Sequence, residues 1–235
     1  GVIERVDYKG EVVTPLSQES VIEAVNYLAA QGVEAIAIAL LWSQANPRHE
    51  QEIKAIIQSM YPDLYVTISS ELAPVLGEYE RTATTVMNAY VGPLVSKSLE
   101  HLRTELTGHG LRHSPLVAQA YGGCLQVEAA VMQPVGSISS GPAAGLVASK
   151  YIADLLGYQN VIATDMGGTS FDIGLIYAGN IEHATETVLG QYHLAVPTVA
   201  VESIGAGGGS IAWVEPGTKI LKVGPWSAAA EPGPA

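Results

Sequence analysis

A layered α/β fold is predicted by three observations. Helix-type and strand-type periodicities alternate between residues 17 and 70. The apolar content, 48% of residues, comes mainly from Ala, Val, Ile and Leu, with only 6% aromatics. Near the middle of the chain, two strand-like runs flank the turn Asp-Met-Gly-Gly-Thr-Ser. Alternation of this kind argues for helices packed on a sheet with parallel strand pairs. With 235 residues the chain can bury a large core, as one domain or two.

The elements follow in order. Residues 1–16 read as short extended segments around Lys9-Gly10. Ser17 caps a helix with Val21, Val25 and Leu28 on one face, closing at Gly32. "VEAIAIALLW" reads as a buried strand, and Asn46-Pro47 opens a helix that places Ile53, Ile56, Ile57 and Met60 inward. Pro62 ends it, and "LYVTISS" is the next strand. From Leu72 the texture changes to a long helical pattern with an apolar face of Val95, Leu99, Leu102 and Leu106, in which Gly92-Pro93 predicts a kink or break. "SPLVAQAY" reads as a strand ending at Gly122-Gly123, and residues 126–133 as a short helix. "SSGPAAGLVASKYIADLLG" begins with a cap and a proline, carries Val147, Tyr151 and Leu155 on its face, and stops at Gly157. Two strands are then expected at 161–166 and 171–177, antiparallel and joined by Gly167–Ser170, the second alternating Phe171, Ile173 and Leu175 against Asp172 and Gly174. Ala178-Gly179-Asn180 turns into a third strand, and "EPGPA" closes the chain as extended or loop structure.

Composition excludes several classes. The net charge is -12, from 11 basic and 23 acidic residues, without a basic cluster, so nucleic acid is not an expected partner. The longest apolar run, Ala35 to Trp42, is far below the roughly 20 residues of a membrane span, so a soluble protein is expected. Cys124 is the lone cysteine, which rules out an intrachain disulfide and fits a cytoplasmic location.

The stretch "TDMGGTSFDIGLI" carries the chemistry. A tight Gly-Gly-Thr-Ser turn exposes successive backbone N–H groups, and glycine admits close approach of an anion or a positive φ. The hydroxyls of Thr169 and Ser170 add donors. Aspartates repel phosphate, so Asp165 and Asp172 make sense if Mg²⁺ lies between them and the phosphates. The alternative is an ordinary hairpin turn with solvated aspartates. No Gly-Lys-Ser/Thr follows, so this is not a Walker loop.

Asp-Met-Gly-Gly-Thr-Ser-x-Asp resembles the phosphate loop of the hydantoinase A/oxoprolinase family, within the actin–hexokinase–Hsp70 class of ATPases. "GEYERTATTVMNAYVGP" at 77–93, "SSGPAAGLV" at 139–147, "GAGGGSIAWV" at 205–214 and "VGPWSAAAEPGPA" at 223–235 resemble the same family. "GVEAIAIALLWSQANPRHEQEI" at 32–53 resembles a segment of its first domain. The resemblance implies an incomplete actin–hexokinase–Hsp70-like (ribonuclease H-like) ATPase domain at 76–235, preceded at 1–75 by the last part of another α/β domain. It implies ATP and Mg²⁺ as cofactors, held by Gly167, Gly168, Thr169, Ser170, Gly207, Gly208 and Gly209, with Asp165 and Asp172 as catalytic and metal-holding residues.

The family includes ATP-dependent hydantoinases, 5-oxoprolinases and the ATP-consuming subunits of acetone and acetophenone carboxylases. A small carbonyl compound or cyclic amide is the implied substrate, and a hydantoinase B-type subunit the implied partner. Phe171, where hydantoinase-like loops have a small hydroxyl residue, leans toward a ketone carboxylase over a cyclic amide hydrolase; a noncatalytic structural module is the remaining alternative. The family has two phosphate loops and continues past Pro-Gly-Pro-Ala. This chain is therefore expected to be an internal piece of a longer subunit, whose uncovered apolar surface would favour self-association.

Other residues invite chemistry. Arg81 could neutralise phosphate or pair with Glu78 or Glu80. Ser140-Gly141-Pro142 could offer the N–H groups of a helix start to an anion, or be a plain cap. "GAGGGS" at 205–210 could approach the nucleotide or serve as a packing turn. His109 and His113 share helical spacing, but Gly108 and Gly110 argue against a helix and hence a metal site there. Cys124 after two glycines could be a nucleophile, or a small buried hydrophobe.

Overall fold

The computed structural model describes residues 1–229, 231 and 233. In chain order the elements are β1 (Arg5–Val6), β2 (Val12–Thr14), α1 (Gln18–Ala30), β3 (Ala35–Ile38), α2 (Arg48–Met60), β4 (Tyr65–Ile68), α3 (Ser69–Leu72), α4 (Glu78–Gly108), β5 (Leu116–Ala118), β6 (Cys124–Gln126) and α5 (Val127–Ala130). A 3₁₀ turn (Pro134–Ser137) leads to α6 (Ser140–Leu156), β7 (Val161–Met166), β8 (Phe171–Tyr177), β9 (Asn180–Ile181) and β10 (His183–Ala184). The strands β11 (Thr187–Leu189), β12 (Tyr192–Leu194), β13 (Thr198–Val199), β14 (Val201–Ile204), β15 (Ser210–Val214) and β16 (Leu221–Ser227) follow. Pro232, Pro234 and Ala235 of the expected extended tail lie outside the described residues. No helix among the described residues is long and apolar enough to cross a membrane.

The chain forms two compact units. Unit 1 is Gly1–Gln119, Cys124–Ile138 and Thr185–Pro197; unit 2 is Ala120–Gly123, Ser139–Ala184 and Thr198–Ala235. Helix α4, which starts beyond residue 75, packs on β3 and β4.

In unit 1, β3 and β4 pair in parallel, with Ile36 opposite Val66 and Ile38 opposite Ile68. The connection through α2 is what parallel neighbours require. Val21, Val25, Ile53 and Ile57 from α1 and α2 close on Ile36, Ile38 and Ile68. The expected helical faces hold for Val21, Val25, Ile53 and Ile57; Leu28 is exposed. Asn46 Oδ1 accepts from the Arg48 N–H at 3.2 Å, so the Asn-Pro start acts as the spacing suggests.

Helix α4 departs from its expected pattern. Its buried residues are Arg81, Thr84, Thr85, Asn88, Ala89 and Gly92, a polar and small face that an apolar count cannot find. Asn88 Nδ2 donates to Thr67 Oγ1 at 3.1 Å, and its Oδ1 accepts from the Val135 N–H at 3.0 Å. A Cβ on Gly92 would lie 2.4 Å from the Tyr65 ring, so glycine lets helix and strand meet. Of the kink or break expected at Gly92-Pro93, the break does not occur: α4 runs through Pro93. The helix is anchored on both sides of the proline, by Asn88 and Gly92 before it and by Ser96 after it, whose Oγ donates to the Val131 carbonyl at 3.0 Å. Burial pushes the Tyr65 phenol above its ordinary pKa, opposed by hydrogen bonds with Asn88 and Ser96. Asn88→Ala strands the Val135 N–H and Thr67 hydroxyl, and is expected to lower the unfolding free energy by about 2 kcal/mol. Denaturant melts would test this; wild-type stability would contradict it.

Arg81 is 1% exposed and binds neither Glu78 nor Glu80. Its guanidinium donates to the Leu40 carbonyl at 2.6 Å and to Gln44 Oε1. Glu50, also fully buried, accepts from the Leu40 N–H at 2.8 Å. The end of β3 is thus held between a buried cation and a buried carboxylate, a structural use that excludes Arg81 as an exposed phosphate ligand.

In unit 2, β14-β8-β7 form a sheet with β9 added on β8, and α6 packs on one face through Ala143, Leu146 and Ala153. The expected face of Val147, Tyr151 and Leu155 is displaced, since Tyr151 and Leu155 are exposed. Ser139 is left-handed at φ 61° and makes no side-chain cap, so the cap predicted there is absent; Gly157 ends the helix at φ 78° as predicted. Tyr177 opposite Asn180 closes a two-residue hairpin turn with Ala178 and Gly179 at positive φ. Strand β16 and its antiparallel hairpin with β15 are structure that the periodicity did not reveal.

Candidate functional site

Strands β7 and β8 run antiparallel as expected, and the Gly167 N–H donates to the Ser170 carbonyl at 3.1 Å across the turn. Asp165 stands directly opposite Asp172. Residues so paired project to the same side of the sheet, with Cβ atoms about 4.5–5.5 Å apart. The same side carries Ala163 opposite Gly174 and Val161 opposite Ile176, and α6 covers it. Like charges facing each other on neighbouring strands are destabilising, and a cation between them offsets the repulsion. Asp165 is exposed and Asp172 half-buried, with the Ser170 hydroxyl 3.4 Å from Asp172 Oδ2.

The alternation expected on β8 is inverted. Gly174 and Ile176 are buried on the α6 face, whereas Leu175 is exposed. A Cβ on Gly174 would lie 2.7 Å from Leu146 Cδ1, so glycine is what lets α6 settle against the hairpin. A cavity of about 210 Å³ remains there, lined by Pro142, Gly145 and Ser149 of α6 and by Asp165, Asp172 and Gly174 of the strands. Phe171 lies opposite Met166 and Ile204 on the other face, pointing away from the carboxylates. It therefore gives no ground for choosing a substrate.

The two glycine clusters interlock. Gly208 N–H donates to the Gly167 carbonyl at 2.8 Å and Gly209 N–H to the Gly168 carbonyl at 2.9 Å. A Cβ on Gly207 would fall 2.6 Å from Thr169 N and 2.7 Å from both Gly167 O and Gly168 C, so only glycine fits. Neither cluster uses a positive φ; close backbone approach is the reason for these glycines. Two carbonyls of the turn are thereby engaged, while the N–H groups of Gly168, Thr169 and Ser170 have no protein acceptor among the described residues. The space over Gly167 and Gly168 is open. A turn with bound carbonyls and free N–H donors suits an anion.

Two opposed carboxylates are oxygen donors suited to Mg²⁺, which keeps several waters and takes further ligands from phosphate. Among the described residues no group of three His, Cys, Asp or Glu side chains could hold a metal by protein ligands alone. That includes His109, which caps the end of α4, and His113 beyond it. Cys124 is exposed on β6 rather than buried. The glycine interlock, Gly174 beneath Leu146 and the α6 lining were not found from sequence; the glycines were visible there, but their contacts depend on partners distant in the chain.

The family described as Hydantoinase/oxoprolinase matches residues 81–235, and the Hydantoinase/oxoprolinase N-terminal region matches residues 1–61. The chain is 37% identical over 230 residues to caprolactamase subunit alpha of Pseudomonas jessenii, covering 98% of this chain and 33% of that protein. It is 36% identical over 241 residues to the acetophenone carboxylase gamma subunit of Aromatoleum aromaticum, covering 100% of this chain and 32% of that one. The nucleotide-free structure of acetone carboxylase, studied for ATP-dependent acetone carboxylation, superposes with a TM-score of 0.84 at 33% identity, over 97% of this chain and 32% of that one. The chain thus spans about a third of the length of these relatives.

Proposed function

Because the chain belongs to the hydantoinase/oxoprolinase family, we propose that it supplies the phosphate-holding part of an ATP-dependent enzyme that phosphorylates a carbonyl or enol oxygen. The observation that carries this reading is the interlocked turn with free N–H groups at 168–170 beside two facing aspartates. The N–H groups of Gly168, Thr169 and Ser170, with the Thr169 and Ser170 hydroxyls, would hold phosphate oxygens. Asp165 and Asp172 would hold Mg²⁺, directly or through water. Gly207, Gly208 and Gly209 would act from behind, fixing the turn. Bound ATP supplies a phosphoryl group that turns a poor leaving oxygen into a good one. The chain's part is positioning and charge neutralisation in a preformed turn.

The fold would be of the actin–hexokinase–Hsp70 type, with residues 1–75 and 76–235 belonging to successive domains. The enzyme would work in the cytoplasm with a hydantoinase B-type subunit, in keeping with relatives named as alpha and gamma subunits. A ketone carboxylase is the first reading of the substrate class, supported by the 36% identity to an acetophenone carboxylase subunit and the likeness to acetone carboxylase. A cyclic amide hydrolase is the second, favoured by the 37% identity to a caprolactamase subunit. Full-length protein with its partner should release ADP when given either a ketone with bicarbonate or a lactam. Release with the ketone alone selects the first reading and with the lactam alone the second. Absence of ATP affinity in the full assembly would refute both.

A further inference from the structure

The first half of α4 carries a second pattern, on the side away from β3 and β4. Tyr79, Val86, Tyr90 and Leu94 are 52%, 53%, 82% and 73% exposed. With Ala83 and Met87 they form an apolar stripe at helical spacing. An apolar groove of about 480 Å³ runs along it, walled on one side by Tyr192 of β12. The positions 79, 83, 86, 87, 90 and 94 have the same spacing read in either direction, with the midpoint between Val86 and Met87. Such a stripe is self-complementary under a twofold axis, as an isologous contact requires.

We propose that this face binds a second copy of the chain, with the two α4 helices antiparallel about the Val86–Met87 midpoint. Each Tyr90 then faces Ala83 of the other copy, a large side chain over a small one, and enters the groove there. Tyr79 faces Leu94, and Val86 faces Met87. Glu78 and Glu80 at one end of the stripe approach Lys97 at the other end of the second helix; in a parallel pair the acidic ends would meet each other. Aromatic side chains such as Tyr79 and Tyr90 cover up to about 150–250 Å² each, and aliphatic ones less. The partly exposed ones on both copies together offer on the order of 1,200 Å², the lower end of specific interfaces. The net charge of -12 opposes association only over a screened range at physiological salt.

Sedimentation equilibrium of the full-length protein should give twice its single-chain mass. Tyr90→Lys, at an exposed position, should return it to a single-chain mass with an unchanged circular dichroism spectrum and a melt that no longer depends on protein concentration. Cysteine cross-linking then tests the geometry in a Cys124→Ser background. Val86→Cys lies near the axis and should form an intermolecular disulfide. Tyr79→Cys should not, because its own equivalent lies about 22 Å away along an antiparallel pair, at 1.5 Å per residue. A single-chain mass for the wild type overturns the proposal, as does a dimer unaffected by Tyr90→Lys. Equal cross-linking at both positions would show a parallel or unspecific contact and overturn it too.

Discussion

Asp165→Asn in the full-length enzyme is expected to lower magnesium-dependent ATP turnover by roughly 10- to 100-fold, the scale for disturbing groups that orient a metal. The melting temperature should stay the same or rise slightly. The sign follows from the geometry. Asp165 is exposed, its carboxylate accepts no hydrogen bond among the described residues, and it faces Asp172 across the ladder. Removing one of two facing like charges relieves repulsion in the metal-free protein. If Asp165 instead tied the turn together, the variant would melt earlier and keep its magnesium dependence. ATPase rate against Mg²⁺ concentration, with a melt of the same sample, separates the outcomes; unchanged turnover and metal dependence would remove Asp165 from the site.

Gly207→Ala should be the more damaging change to structure. The added methyl would meet three backbone atoms of the Gly167–Ser170 turn at 2.6–2.7 Å, and backbone cannot rotate away as a side chain can. A loss of about 2–3 kcal/mol in the stability of unit 2 is expected. Nucleotide affinity should fall at least about tenfold if the turn shifts by a fraction of an ångström. Gly208→Ala is the control one residue away. Its methyl would lie 3.6 Å from Gly167 O, an ordinary contact, and its φ is not in the left-handed region. Near-normal stability and affinity are expected there. Equal effects at the two positions would show that the interlock does not shape the turn.

The same glycines mark how far the chain could be read before its structure. Asp-Met-Gly-Gly-Thr-Ser-x-Asp was legible because strand alternation, a glycine turn and its hydroxyls are all local. The antiparallel pairing of 161–166 with 171–177 followed from that, whereas the facing of Asp165 and Asp172 came from the register in the structure. "GAGGGS" was equally visible but its purpose was open, because its partners are the carbonyls of Gly167 and Gly168, far away in sequence. Phe171 suggested a substrate preference until the register placed it on the face opposite Asp172. Arg81 suggested an anion site until burial showed it bound to the end of β3.

Local sequence by itself determined the parallel β3–α2–β4 unit, the β7–β8 hairpin and the residue types at its turn. Each depends on spacing and turn chemistry within a few residues. Tertiary structure alone decided which face of α4 is buried, since its partners are hydrogen-bonding groups of β4 and of the 3₁₀ turn rather than a periodic apolar stripe. It also decided that α4 continues through Pro93, because packing on both sides outweighs one lost backbone hydrogen bond. And it decided what the second glycine cluster does, because whether a missing Cβ is needed depends on which atoms the fold brings to that spot.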